Sequence, residues 1–480
     1  MNSAATLPTA VIGAGPVGLA AAAHLIERGL PVKVYEAGSC VGANVRSWGH
    51  VRLFSPWEYN VDPAARAILM RHGWQEPPAD VYPTGDDLVD AYLRPLAETP
   101  ELAAVIETGA RVSAIGRQGI DKVVTKGREG RPFVLSVTGP DGSVRRDLAS
   151  AVIDASGTWT TPNPLGAGGL PAESEDMLVG RITYGLPDVL GRDRAAFIGR
   201  TTLVVGAGHS AANVLLDLGR LADRDPATTL VWVTRGTNLM RVYGGGGDDK
   251  LFARGELGAG LKALVERGRV SLVAGFAITS VREEGGRLMV EGETAEGSRP
   301  LGPVDRIVAA TGQRPDLALT RELRLDLDPW LESAKALGPL IDPNLHSCGS
   351  VPPHGHRELS HPEAGFYTAG IKSYGRAPTF LMMTGYEQVR SVAAAIAGDL
   401  AAADAVQLVL PETGVCSGRP NPDADVASSG CCGGPAPAGV DACCVEDAEA
   451  KAATGEGCGC DAAAPSEPAP AKGGCCSKAA

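Results

Sequence analysis

The first 415 residues of this 480-residue chain contain very little cysteine. Cys40 and Cys348 are the only two, whereas the other nine of the eleven cysteines lie at or beyond Cys416. This distribution excludes a disulfide framework in the main body and is typical of a chain from a reducing compartment. No Cys-x-x-Cys pair occurs, and Val45 stands where a Cys-x4-Cys pair starting at Cys40 would end. A redox-active dithiol is therefore not expected in the main body.

The chain also lacks an excess of positive charge and a long unbroken apolar run. Lys and Arg number 44 against 56 Asp and Glu, which gives a net charge of −12. Nucleic acid and anionic membranes both need a basic face, so neither is an expected partner. The uncharged run 10–26 is broken by glycines, a proline and a histidine. It fits neither a membrane span nor a signal peptide, and we expect a cytoplasmic protein.

A glycine motif follows the first predicted strand. Gly13, Gly15 and Gly18 form G-x-G-x-x-G between the apolar run TAVI and an alanine-rich helical stretch. Such glycines allow a tight turn and the close approach of a pyrophosphate, which the helix N-terminus attracts. Glu36 lies 21 residues after Gly15, at the end of the next predicted strand, where a carboxylate accepts hydrogen bonds from ribose hydroxyls. The pattern predicts a dinucleotide with a free 2′-hydroxyl, as in FAD; the alternative is an ordinary glycine-rich turn.

A second unit of the same kind begins about 190 residues later. Gly206 and Gly208 precede Ala211 in G-x-G-x-x-A, with Ser210 inside the turn, and this is an accepted variant of the motif. The next predicted strand ends in Arg235 instead of an acid. A guanidinium binds a 2′-phosphate through two hydrogen bonds, whereas a glutamate would repel it. The unit therefore predicts an NADPH site, although Arg235 could also be a solvated charge at a strand end.

Two nucleotide-binding units in one chain predict an α/β fold with two Rossmann-like domains. Strand-rich segments separate the units, and a strand, a glycine loop and a long helical stretch follow the second. The simplest arrangement is an NADPH domain inserted in a discontinuous FAD domain, which the last segment returns to complete. The predicted limits are 1–165 for the first part of the FAD-binding domain, 196–300 for the NADPH-binding domain and 301–410 for the closing part.

The composition changes from about residue 412 onward. Residues 412–480 are rich in Ala, Gly, Pro and Cys and contain no aromatic residue. Such a segment cannot bury enough apolar surface to offset its chain entropy, so we predict a disordered Cys-rich tail. Adjacent thiols are soft ligands for thiophilic metals and metalloids. The candidate metalloid ligands are Cys431, Cys432, Cys443 and Cys444, and the alternative is a low-complexity extension without a role.

Four histidines gather in the stretch HSCGSVPPHGHRELSHPE, beginning at His346, together with Cys348 and Glu363. The prolines, glycines and single cysteine in this stretch fit no strong metal-ligand pattern. A loop over the cofactor or an ordinary surface loop is favoured over a metal site.

With both motifs placed, residues 8 to 400 resemble the two-dinucleotide-domain flavoproteins, and among them the flavin-containing and Baeyer–Villiger type monooxygenases. The segments DASGTWTTPN, AATGQRPD and YTAGIKSYGRAPTFL carry the resemblance. It implies that Gly312 lies at a turn near the cofactors and that Gly370 lies near the flavin phosphates and ribityl chain. It also implies that a helix beginning near Thr379 directs its N-terminus at the isoalloxazine ring. More narrowly, VVGAGHSAAN and the Cys-pair tail resemble flavin monooxygenases of bacterial arsenic-resistance operons.

The chain departs from the monooxygenase pattern at two places. Phe54 stands where flavin-containing monooxygenases often carry an asparagine, and YGLPDVLGRDRAAFIG replaces the His-containing fingerprint expected before the second glycine motif. Both departures weaken the expectation of a long-lived flavin peroxide.

The resemblance implies an FAD-containing, NADPH-dependent monooxygenase. A hydride would pass from NADPH to FAD, and a flavin C4a-hydroperoxide would then oxygenate a soft nucleophile such as an organic sulfur or arsenic centre. A small-molecule substrate and O2 are the implied partners; no residue is identified as catalytic and the oligomeric state stays open. One alternative is a flavin reductase that passes electrons to the tail cysteine pairs or to a thiol-bound metalloid. Another is a metalloid-sequestering protein.

Overall fold

The computed structural model describes residues 7–244, 252–345, 351–378, 380–408 and 451–452. All except the last pair belong to one unit, Met1–Gly418, and a second unit comprises Arg419–Ala480. Of the second unit the structure describes only residues 451–452, which are helical. The four candidate tail cysteines, together with Thr379, therefore lie outside the described residues.

The described residues form sixteen strands in four sheets. In chain order the strands are β1 Thr9–Ile12, β2 Val32–Glu36, β3 Ile106–Thr108, β4 Arg111–Arg117, β5 Phe133–Thr138, β6 Val144–Ala149, β7 Ala151–Asp154, β8 Ile182–Tyr184, β9 Thr201–Val205, β10 Thr229–Thr234, β11 Ser271–Ala274, β12 Ala277–Glu284, β13 Arg287–Thr294, β14 Gly297–Val304, β15 Arg306–Ala309 and β16 Phe366–Thr368.

The α-helices range from single turns to sixteen residues. In chain order they are α1 Pro16–Glu27, α2 Ala43–Ser47, α3 Pro63–Arg71, α4 Gly85–Leu88, α5 Arg94–Ala97, α6 Pro100–Ala103, α7 His209–Arg224, α8 Met240–Tyr243, α9 Phe252–Glu266, α10 Gly338–Ile341, α11 Met382–Ile396 and α12 Leu400–Asp404. One turn of π-helix, Val89–Leu93, joins α4 to α5.

The first large sheet has the strand order β16-β7-β1-β2-β3, and each neighbouring pair is parallel. Strands β1 and β7 are buried along their whole length, as expected for a parallel sheet with both faces covered. Strand β16 comes from the end of the chain yet pairs with β7, so the last segment returns to the first sheet. Because the carboxyl ends of parallel strands meet at one edge, the turns after β1, β7 and β16 lie together.

The second large sheet has the order β11-β10-β9-β15-β8 and is also parallel throughout. Its strand β15 lies beside β9, with Ile307 opposite Leu203. Residues 306–309 therefore pair within the sheet of the second glycine unit, although the sequence analysis placed them in the closing part, 301–410. An apolar strand alone does not reveal which of two parallel sheets it joins. The domain limits themselves stay a prediction, and the α/β fold with two Rossmann-like sheets is confirmed.

Two three-stranded antiparallel sheets accompany the parallel sheets. One has the order β4-β5-β6 and is followed directly by β7; the other has the order β12-β13-β14 and is followed directly by β15. On β5 every second residue is buried, beginning with Phe133, which is the alternation of a sheet with one face on a core. Each small sheet is thus joined to one large sheet by a short connection at both of its ends.

Helix α1 packs between the first sheet and α11. Its run Ala20–Ala23 is completely buried, and such small side chains let the neighbouring backbones approach closely. A Cβ atom placed on Gly385 of α11 would lie 2.6 Å from a methyl group of Val17. This packing places the first turn of α11 beside the first turn of α1, at the edge where the sheet ends.

Candidate cofactor-binding site

The turn after β1 has room for glycine alone at two of its three motif positions. Gly13 has a φ of +96°, and a Cβ atom on it would lie 2.7 Å from the carbonyl oxygen of Ala155. A Cβ atom on Gly18 would overlap the carbonyl oxygen of Gly13. Gly15, in contrast, has open space where its side chain would be. The turn is therefore tight on its protein side and open on the side where a phosphate would approach.

The open side faces the start of α1. Gly15 is the N-cap residue, Pro16 occupies the first turn, and no side chain caps the helix. The unpaired N–H groups and the helix dipole make such an end attractive to an anion. An acidic residue is also absent from the first turn, so nothing there competes with a bound phosphate.

Glu36 is hydrogen-bonded to its own turn. One carboxylate oxygen accepts from the backbone N–H of Ala14 and the other from that of Gly38, both at 2.7 Å. Each oxygen of an ionised carboxylate has a second acceptor site, so Glu36 can still accept bonds from ribose hydroxyls. The two backbone bonds fix the negative charge beside the glycine turn. The sequence alone does not predict this second role of Glu36.

The segment after β16 completes the first site. Gly370 has a φ of +70°, and a Cβ atom on it would lie 3.3 Å from Cβ of Val17 in α1. Its backbone N–H donates to Oε1 of Gln388 at 2.8 Å. The amide nitrogen of Gln388 lies 2.9 Å both from Oγ of Ser373 and from Nε2 of His354. Helix α11 thus holds the closing segment through one buried amide.

His354 ends this network as a neutral ring. Its Nδ1 lies 3.0 Å from the carbonyl oxygen of Pro352, which can only accept, so Nδ1 carries the proton and Nε2 accepts from Gln388. Burial lowers the pKa of His354 below its ordinary value. The histidine is therefore a structural acceptor in this network. Among the described residues no group of three His, Cys, Asp or Glu side chains is arranged to hold a metal ion.

A buried ion pair joins β7 to the closing segment. Nζ of Lys372 lies 2.7 Å from Asp154 and 2.9 Å from Oγ of Ser156. Both charged side chains are almost completely buried. Asp154 also accepts from the hydroxyl of Ser156 at 2.7 Å, so the pair fixes the turn whose Ala155 carbonyl faces Gly13. Sequence reasoning missed this pair, because 218 positions separate the two residues.

The turn after β9 repeats the geometry of the first. Gly206 has a φ of +133°, and a Cβ atom on it would overlap the carbonyl oxygen of Ala310. Gly208 is the N-cap residue of α7 and has open space at its Cβ position, and no side chain caps the helix. The carbonyl of Gly206 accepts from the indole N–H of Trp232 at 2.7 Å. This second turn is thus also suited to a dinucleotide phosphate.

Arg235 follows β10 directly and is exposed. Within the described part of the chain it makes no hydrogen bond or ion pair. It lines a cavity of about 690 Å³ together with Gly206, Gly208, Ser210 and Gly312. The structure therefore brings the four residues predicted around the second nucleotide together with Gly312, which the resemblance places near the cofactors.

The opposite wall of this cavity belongs to the closing segment, through Ile371 and residues 375–378. The remaining described wall residues are mostly apolar or glycine, among them Trp159, Pro162, Leu165, Phe276 and Ile278. The predicted first-site residues Gly13, Gly15, Gly18, Glu36 and Gly370 are not part of this lining. The cavity thus extends from the second glycine turn to the segment that closes the first site.

Phe54 links the two halves of the site. Its ring lies 5.0 Å from the imidazole of His209, centre to centre, in an edge-on arrangement. His209 is the first residue of α7 and lines the cavity. The phenylalanine that stands where flavin-containing monooxygenases often carry an asparagine therefore packs against the second nucleotide turn.

Cys40 is the one cysteine that the structure describes, and it is exposed and free. Cys348 and His346 lie outside the described residues. In the described part of the chain, no helix is both long and apolar enough to cross a membrane.

Comparison with known proteins gives similarity at the level of the fold. The family model of an NAD(P)-binding Rossmann-like domain matches residues 11–75, which include the first glycine turn and Glu36. No curated protein matches the chain.

Several solved structures share its architecture. The bacillithiol disulfide reductase of Bacillus cereus has a TM-score of 0.60 and 17% identity, covering 82% of this chain and 99% of its own. The cadaverine monooxygenase of desferrioxamine biosynthesis from Erwinia amylovora, bound to FAD, has a TM-score of 0.57 and 16% identity, covering 85% and 98%. A flavin-containing monooxygenase from Stenotrophomonas maltophilia has a TM-score of 0.51 and 20% identity, covering 82% and 98%.

The chain has the two-domain flavoprotein fold. The fold agrees with FAD and NADPH as the two cofactors, and the open glycine turns of both sheets fit a dinucleotide. Proteins named as monooxygenases and as disulfide reductases both have this fold. The choice between the two activities therefore depends on the site itself.

Proposed function

We propose that this protein is an FAD-containing, NADPH-dependent monooxygenase acting on a small soft nucleophile, such as an organic sulfur or arsenic centre. The observation that carries the proposal is the cavity. It runs from the second glycine turn and Arg235 to the closing segment of the first site, and its described lining contains no cysteine. Such a cavity suits a nicotinamide and a small substrate, whereas a dithiol relay needs a cysteine pair beside the flavin.

The residues have distinct expected roles toward the two cofactors. The start of α1 would hold the FAD pyrophosphate, and Glu36 would bind the adenosine ribose. The start of α7 would hold the NADPH pyrophosphate, with Arg235 on the 2′-phosphate. FAD, when bound, would accept a hydride from NADPH and pass its electrons to O2. The protein contributes alignment and exclusion of water, and no described side chain is assigned as acid or base.

A reductase is the second candidate, and one observation favours it. The bacillithiol disulfide reductase has the highest TM-score among the three structures compared above. Electrons would then pass from FAD to a small disulfide or to thiols of the tail. Under either activity, a role of the tail cysteines in binding arsenite, and a place in arsenic resistance, remain proposals.

Labelled oxygen separates the two candidates. The FAD-loaded protein is reduced with NADPH without oxygen, and ¹⁸O2 is then added with a thioether such as (methylthio)acetate. A monooxygenase yields a sulfoxide carrying one ¹⁸O atom for each NADPH consumed, and the second oxygen atom leaves as water. Rapid anaerobic oxidation of the flavin by a disulfide, with no labelled product, would instead support the reductase.

A further inference from the structure

The proposed binding of NADPH leaves one arginine of the cavity without a ligand. The described lining of the cavity contains two arginines, Arg235 and Arg376, and no aspartate or glutamate. This is unexpected in a chain with a net charge of −12. The proposed function uses Arg235 for the 2′-phosphate and leaves Arg376 without a ligand.

Arg376 lies at the end of the cavity that the closing segment forms. It comes directly after the turn Gly370–Tyr374 and Gly375, and its backbone N–H donates to the carbonyl of Leu331 at 2.7 Å. Its guanidinium lies 3.9 Å from the position of a Cβ atom on Gly169. Gly169 and Arg376 both line the cavity.

No described acidic side chain neutralises Arg376. The side chain is exposed and makes no hydrogen bond or ion pair with the described residues. Glu332, on the neighbouring turn, is already paired with Arg314, whose Nε lies 3.1 Å from its carboxylate. The carboxylate of Glu332 therefore pairs with Arg314 and not with Arg376.

The carboxylate of Glu175, behind the cavity wall, also has hydrogen-bond partners of its own. Glu175 is buried and accepts from the backbone N–H groups of Leu165 and Ala172 at 2.7 and 2.6 Å, and from the hydroxyl of Tyr184. Tyr184 lines the cavity and lies between Glu175 and the open space. An anion that entered the cavity would meet Arg376 and no free carboxylate.

We infer that Arg376 binds an anionic group of the substrate. The inference rests on the proposed function and narrows its substrate class to small molecules that carry a carboxylate, or a comparable oxyanion, beside the oxidised soft atom. The apolar walls at Trp159, Leu165 and Ile371 would contact the uncharged part. A guanidinium pairs with a carboxylate through two parallel hydrogen bonds, which fixes orientation as well as affinity.

A matched pair of probes tests this inference by binding alone. (Methylthio)acetate and (methylthio)acetamide have the same shape and the same sulfur and differ in charge. Each is titrated into the FAD-loaded protein in the presence of NADP⁺, and the change in flavin absorbance gives its dissociation constant. The wild type is expected to bind the acid about ten- to a hundredfold more tightly than the amide, the range typical of a charged hydrogen bond.

Replacement of Arg376 should remove that preference. In Arg376→Gln the acid is expected to bind no better than the amide, whereas the affinity for NADP⁺ changes less than about twofold. Arg376→Lys should restore part of the preference, because it returns the charge without the paired donors. Arg111→Gln, an exposed arginine of β4 outside the cavity lining, is the control and should bind both probes as the wild type does.

Three results would overturn the inference. They are equal binding of acid and amide by the wild type, an undiminished preference in Arg376→Gln, and a loss confined to NADP⁺ affinity, which would assign Arg376 to the nicotinamide cofactor. The titration needs no turnover. A preference for the acid that depends on Arg376, found without any labelled sulfoxide, would therefore refute the monooxygenase proposal and leave the anion site standing.

Discussion

At the scale of single residues, the two glycine units carry opposite charges at the ends of their second strands. Glu36 is the last residue of the second strand of its glycine unit, and Arg235 directly follows the second strand of the other unit. The carboxylate of Glu36 is fixed by the N–H groups of Ala14 and Gly38, whereas Arg235 is exposed and makes no bond within the described residues. A fixed acid accepts from ribose hydroxyls and repels a phosphate, and a free guanidinium binds one. The charge difference therefore predicts which nucleotide each turn selects.

Arg235→Gln is expected to raise the KM for NADPH about ten- to a hundredfold, because one charged hydrogen-bond donor pair to the 2′-phosphate is lost. The KM for NADH and the FAD content should stay as in the wild type. Steady-state oxidation of both nucleotides measures the effect, with Arg111→Gln as the control. An unchanged KM for NADPH would mean that Arg235 is a solvated charge.

We expect the folded protein to lose stability in mild acid, because two of its histidines are buried. Burial lowers the pKa of both His354 and His361 in the folded protein, so the unfolded chain binds more protons as pH falls below about 6.5. Their contribution to the free energy of unfolding is present above that pH and declines below it, by at most about 1.4 kcal/mol per pH unit for each histidine.

Denaturant unfolding between pH 5 and pH 7 measures this decline. The slope should fall in His354→Gln and fall further in the double variant with His361→Gln. Equal slopes in all three proteins would show that other groups control the acid sensitivity.

At the scale of elements, the site is held by buried polar contacts between segments that are distant in sequence. Lys372 and Asp154 join the closing segment to the turn after β7, and Gln388 joins α11 to Gly370. Removing one member of a buried ion pair leaves the other charge unpaired, whereas removing both can be nearly neutral. Neither side chain is exposed, so the pair is not available to contact a cofactor directly. It acts instead by fixing the position of the turn after β7.

Lys372→Met is expected to lower the free energy of unfolding by about 3–5 kcal/mol and to weaken FAD binding, because it leaves Asp154 buried without its cation. The double variant Asp154→Leu/Lys372→Met should recover most of the stability. Lys262→Met, which removes an exposed pair with Glu266, is the control and should cost less than about 1 kcal/mol. Fluorescence-monitored unfolding and the FAD dissociation constant measure the changes. A double variant no more stable than the single would contradict this assignment.

At the scale of the whole molecule, local sequence patterns predicted the glycine turns and their strands. Contacts between residues distant in sequence could not be predicted in this way. The motif at Gly13 and the motif at Gly206 each contain their own strand, turn and helix, so sequence reasoning could locate them. The same reasoning could not place β15, whose four residues fit either parallel sheet, nor the pair of Lys372 with Asp154. It also missed Arg376, because the local sequence does not show that this loop arginine lines a cavity.

Arsenite binding is expected to depend on the Cys-rich tail. The first unit extends to Gly418, and every cysteine beyond Cys416 belongs to the second. A chain ending at Pro411 should therefore bind FAD and be reduced by NADPH as the full chain is, and it should lose the binding of arsenite, because soft thiolate pairs are the ligands a thiophilic metalloid prefers. Flavin content, anaerobic reduction and equilibrium dialysis with arsenite measure the three properties. Cys40→Ser in the full chain is the control, and arsenite binding that survives truncation would exclude the tail as the site.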